Sequence, residues 1–126
     1  MSDKIELIPY ELLPKTFQYP KELLWLADRN LHLWQPWIIE TGKGLVIRFK
    51  GLKDRYPNRQ LIPFASRLDC DDVACWDLAS PGRIALIHDF AKSPFEQVKW
   101  YEGFWEWFIE SVRDTIEFAK IELNEI

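Results

Sequence analysis

Leu61-Ile62-Pro63-Phe64-Ala65-Ser66, Val73-Ala74-Cys75-Trp76-Asp77-Leu78 and Ile84-Ala85-Leu86-Ile87-His88-Asp89-Phe90 are three short apolar runs, and their reading decides the fold. Each has the length and the β-branched and aromatic content of a strand. Asp69-Cys70-Asp71-Asp72 and Ser80-Pro81-Gly82 separate them and have the composition of turns. Connections this short predict an antiparallel meander. Pro63 lacks an N–H for the ladder, so its strand lies at an edge or carries a bulge. A fourth extended piece is predicted from Glu96 to Trp100, after Ser93-Pro94.

Downstream, Phe104, Trp105, Phe108, Ile109, Val112, Ile116, Ala119 and Leu123 recur at helical spacing, predicting a helix from Tyr101 to Glu122. Its charged face carries Glu106, Glu110, Arg113, Asp114 and Glu117. Trp107 and Phe118 fall off that stripe and share a secondary face about three turns apart. Either the helix is buried on two sides, or these two rings mark a contact or dimerisation surface.

Upstream, Leu45, Phe49, Leu52 and Tyr56 form a helical stripe ending before Pro57, with Thr41 to Gly44 as a preceding turn. Trp34-Gln35-Pro36-Trp37 breaks periodicity and reads as a loop. Pro20 to Asn30 reads as a helix, with Pro20 in its first turn and Asn30 as its stop. The stretch from Pro9 to Pro20 is irregular or made of short turns. Strands followed by a long helix, with helices before, give an α+β domain: a mainly antiparallel meander sheet packed and flanked by helices.

The chain has 126 residues, which fits one domain with one real core. It is 48% hydrophobic and 29% charged, which excludes intrinsic disorder. Seven tryptophans are core fillers by default and partner contacts by exception. No apolar run reaches the roughly 18 residues of a membrane span, and Met1 to Glu6 has no secretory hydrophobic region. Cys70 and Cys75 would lie about 16 Å apart in extended chain, beyond the roughly 7 Å limit for a disulfide. A reduced, cytoplasmic setting is therefore expected. Charge is uneven. Residues 1–63 hold ten Lys/Arg and seven Asp/Glu, while residues 64–126 hold six and thirteen. An acidic half suits a basic protein partner better than nucleic acid.

The candidate chemistry is thin. His88 and Asp89 point to opposite sides of a strand, so they do not form a dyad. His88 shares a side with Ile84, Leu86 and Phe90 and reads as a core or cleft histidine. Asp89 reads as a cap at the start of a loop. Asp69 to Ser80 fails as a calcium loop, because Ala74 and Ser80 stand where Gly and Glu are needed. Two cysteines and two histidines give no metal-ligand spacing, and no phosphate-loop, dinucleotide or nucleophile-elbow motif occurs. No catalytic residue, metal or cofactor is expected. The basic run Lys43, Arg48, Lys50, Lys53, Arg55 and Arg59, interleaved with Phe49 and Tyr56, reads as a solvated helix face.

Arg55-Tyr56-Pro57-Asn58-Arg59, Leu61 to Ala65, Asp71 to Asp77, Ile87 to Phe90 and Phe104-Trp105-Glu106-Trp107 occur in an order similar to one bacterial branch of the SUKH (Smi/Knr-like) superfamily. The resemblance spans about Leu45 to Phe118. Many members begin with a clear helix carrying a Leu-Pro pair, whereas Leu13-Pro14 here lies in a proline-broken stretch. The resemblance implies an antiparallel sheet wrapped by helices and no catalytic residues. It also implies an immunity protein or antitoxin that binds a polymorphic or contact-dependent toxin, often a nuclease. The alternative role it implies is a regulatory scaffold without a toxin partner. Joined to the acidic charge, it makes Asp69, Asp71, Asp72 and Asp77, with Trp76, the expected toxin-binding face.

Overall fold

Alternation along the central strands divides the sheet into two apolar sides, and the computed structural model, which describes residues 5–125, covers both. The elements in order are α1 (Lys21–Asp28), β1 (Leu33–Trp34), β2 (Trp37–Ile39), α2 (Gly42–Arg55), β3 (Leu61–Arg67), β4 (Asp72–Asp77), β5 (Ile84–His88), β6 (Gln97–Tyr101) and α3 (Phe104–Glu122), with a short 3-10 turn at Tyr10–Leu12. All six strands pair antiparallel in sequence order, as the meander reading requires. No helix among the described residues is long and apolar enough to cross a membrane. The reading of Met1 to Lys4 lies outside the described residues.

One side of the sheet carries Ile62, Phe64, Ala74, Trp76, Ile84 and Leu86, packed with the N-terminal segment, α1 and the buried face of α3. The other carries Leu61, Val73, Cys75, Ala85 and Ile87, covered by Leu52 and Tyr56 of α2. Pro63 sits in a central strand rather than at an edge. Its missing donor is accommodated by a register shift between Pro63 and Ala65. Asn30, at φ +56°, ends α1: Asn30 N–H donates to the Ala27 carbonyl and Leu31 N–H to that of Leu26.

The structure departs from the sequence reading at five places. Gly42 to Gly44 form the first turn of α2 rather than a preceding turn, with Gly42 at φ +61° and its N–H donating to the Glu6 carbonyl. Trp34 to Trp37 form a small hairpin rather than a loop, because β2 finds a partner in β3. β5 ends at His88, and Phe90 turns to φ +68°, so His88 is exposed rather than cored. Asp89 is buried, and its main role is not capping.

The fifth departure concerns α3. Its buried positions are Phe104, Trp107 and Ser111, whereas Trp105, Ile109, Val112, Ile116 and Leu123 face solvent. The physical reason lies in the polar residues between the rings. Ser111 Oγ accepts from Trp34 Nε1 at 3.0 Å, Asp114 accepts from Trp37 Nε1 at 2.9 Å, and Thr115 donates to the Trp34 carbonyl at 2.7 Å. Turning the stripe inward would leave both indole N–H groups without these acceptors and carry Trp107 out of the core.

Candidate partner-binding site

The link from β3 to β4 places Leu68, Asp69, Cys70 and Asp71 at the tip of the central hairpin, all exposed. It departs from Arg67, whose guanidinium holds Asp69 with two hydrogen bonds, Nε to Oδ1 at 2.8 Å and Nη2 to Oδ2 at 2.9 Å. The same guanidinium reaches Asp114 of α3 at 3.1 Å, which ties the tip to the helix. These hydrogen bonds hold the Asp69 carboxyl below the usual aspartate range. On return, Asp72 pairs across the ladder with His88, and their side chains meet at 2.8 Å between Oδ1 and Nδ1. That hydrogen bond raises the His88 pKa above its ordinary 6.5. Among the described residues Asp71 makes no ion pair, and its backbone carbonyl accepts from Asp89 N–H at 2.9 Å. The tip therefore offers one free carboxylate, Asp71, between Asp69, held by the Arg67 guanidinium, and Asp72, hydrogen-bonded to the His88 ring.

The structure brings Asp69, Asp71 and Asp72 together and separates the other expected site residues from them. Trp76 is buried under Phe64, Phe17, Tyr19 and Phe104, with ring centroids 4.4 to 6.4 Å away. Asp77 is buried at the far end of β4, where it accepts from Arg59 Nη2 at 3.0 Å and from Ala79 N–H at 2.9 Å. Trp107 has no exposed surface and meets Trp37 and Phe64 edge-on, so it is not a contact for a partner or a second copy. Phe118 is half-buried. The reason is common to the three buried residues: each side chain points to a sheet side that a helix or the N-terminal segment covers. Both cysteines are free, Cys70 exposed and Cys75 fully buried, and burial pushes the Cys75 thiol well up.

A second polar constellation escaped the sequence reading. Asp89, buried, accepts from Arg48 Nη1 at 2.7 Å and from Arg55 Nε and Nη2 at 2.7 and 2.8 Å. Arg48 also reaches Glu40 at 3.2 Å. Burial pushes the Asp89 carboxyl upward, but the Arg55 and Arg48 hydrogen bonds outweigh it and the pKa falls below the ordinary value. Arg59 gathers Asp77, Glu96 and Gln97 at 2.7 to 3.0 Å. Half of the basic run thus turns inward to buried carboxylates rather than to solvent. The available signal was spacing: Arg48 and Arg55 are seven apart, two turns along one side of α2. Arg48 and Arg55 tie α2 to the residue that follows β5, and Arg59 ties the segment after α2 to β4 and β6.

A cleft of about 380 Å³ between the N-terminal segment and the β4–β5 turn is lined by Phe17, Trp76 and Phe104 with Glu22 and Asp77 at its rim. The Asp77 carboxylate is already bonded to Arg59, so no opposed pair of free titratable groups faces the cleft. No group of three His, Cys, Asp or Glu side chains among the described residues could hold a metal ion. No family model, curated protein or solved structure matches the chain.

Proposed function

We propose that this chain is a non-catalytic protein-binding domain of the Smi/Knr-like (SUKH) type, an immunity protein that neutralises a basic bacterial toxin by direct binding in the cytoplasm. The observation that carries the reading is the acidic tip of the central hairpin, Asp69-Cys70-Asp71-Asp72, with Asp69 and Asp71 exposed and Asp72 half-buried. Acidic groups fixed on a rigid hairpin raise the association rate with a basic partner and disfavour acidic competitors. The six-stranded meander wrapped by helices agrees with the fold that the sequence resemblance implies. A nuclease is the toxin class that fits, because surfaces that bind nucleic acid are basic.

Where a basic toxin domain is encoded beside the gene, co-expression with it tests the reading. The wild-type chain restores growth and forms a one-to-one complex. Asp71→Lys/Asp72→Lys weakens that complex at least tenfold. Growth that is not restored, with no complex formed, rejects the immunity role and leaves the regulatory scaffold as the function.

A further inference from the structure

The outward face of α3 carries an apolar seam that the proposed toxin-binding tip does not use. Trp105, Ile109, Val112, Ile116, Ala119 and Leu123 are spaced four, three, four, three and four residues apart, an unbroken heptad pattern. Trp105 is 47% exposed, Ile109 52%, Ile116 47% and Leu123 66%. At about 100° per residue, the seam centre lies roughly 120° round the helix from the buried Phe104–Trp107–Ser111 face. The bulk of the domain therefore stands clear of anything docking on the seam.

We infer that this chain forms a symmetric homodimer in which α3 pairs antiparallel with α3 of a second copy. The seam is self-complementary under a two-fold axis between Val112 and Ile116. Trp105 then faces Leu123, Ile109 faces Ala119 and Val112 faces Ile116, each large side chain meeting a smaller or equal one. The flanking charges select the orientation. In the antiparallel register Glu106 faces Lys120 of the second copy, and the pair occurs twice. Arg113 meets its own copy at the axis, where each guanidinium is accompanied by its own Glu110 at 3.7 Å. A parallel pairing sets Phe108 and Thr115 against Arg113 and Lys120 and forms no ion pair. A single helix pair about 28 Å long is smaller than the roughly 800 Å² per partner of a standard stable interface. The dimer is accordingly reversible, with dissociation in the micromolar range. This inference is independent of the toxin reading, since the acidic tip and the seam are different surfaces.

Sedimentation velocity across 5–500 μM (roughly the concentration window that a micromolar interface requires) tests it. The wild-type chain moves from 15.1 kDa towards twice that mass as concentration rises. Ile109→Glu stays monomeric with an unchanged circular dichroism spectrum, its exposed position sparing the fold. Lys120→Glu weakens the dimer at least threefold in low salt, and Glu106→Lys/Lys120→Glu restores it. A wild-type monomer at every concentration overturns the inference and leaves the seam to a different protein. A dimer indifferent to Ile109→Glu overturns the surface, and one that the double charge exchange fails to restore overturns the antiparallel register.

Discussion

Asp89 shows how one carboxylate can hold two elements together. Its two oxygens are shared between Arg48 and Arg55, both on α2, while its backbone continues from β5. Removing one member of a buried ionic cluster strands the others, which typically costs more than the cluster contributes. Because both guanidinium groups keep some solvent contact, Asp89→Asn should destabilise the fold by about 2–4 kcal/mol in urea unfolding. The pH dependence follows from the lowered pKa. The stabilisation is complete above the ordinary aspartate value of 3.8 and is lost as pH falls through the lower folded value. Acid unfolding of Asp89→Asn should therefore be shallower than that of the wild type below pH 3.8. His88 works in the opposite sense. Its raised pKa means that the extra stabilisation from a protonated ring beside Asp72 is complete below pH 6.5 and is lost as pH rises through the folded value. An NMR titration of the His88 ring should give a midpoint above 6.5 that returns to the ordinary range in Asp72→Asn.

At the scale of elements, α3 is where sequence periodicity and burial part company. The strongest apolar stripe marks a helix correctly but not the face that the fold buries. In this orientation Ser111, Asp114 and Thr115 reach Trp34 and Trp37, which lie 77 residues or more away in sequence, while the Trp107 indole N–H is buried without a partner. No local pattern carries that information. Ser111→Ala leaves Trp34 Nε1 without its acceptor and should cost about 1–3 kcal/mol, read from thermal unfolding. A stability unchanged by that substitution would remove the explanation for the orientation of α3. The strands were more legible. Turn residues at Asp69–Asp72 and Ser80–Gly82 delimited them, and Pro63 announced its bulge. β1 and β2 were not legible, because two and three residues give no period and their pairing depends on β3.

Over the whole molecule, the apolar interior and the acidic surface have separate duties. Alternation in β4 and β5 supplies two apolar sheet sides, and the tryptophans at 37, 76 and 107 fill one of them. That makes three of the seven tryptophans core, and it withdraws Trp76, Trp107 and Asp77 from any binding face. The hairpin tip was legible as a candidate site, since a run of aspartates between strands is exposed by default. The pairing of Asp72 with His88 was not, because the register of β4 on β5 does not follow from sequence spacing, whereas Asp69 meets Arg67 only two residues away. The consequence is that Asp71 carries the least compensated charge on the tip. Asp71→Lys alone should weaken toxin binding, and calorimetric titration of the variant checks it.

The most direct test is capture from the native host with a tagged chain, with bound proteins identified by mass spectrometry. The account predicts a stoichiometric basic toxin domain, lost with Asp71→Lys/Asp72→Lys and retained with Ile109→Glu. Recovery of this chain alone, or with only additional copies of itself, would contradict it.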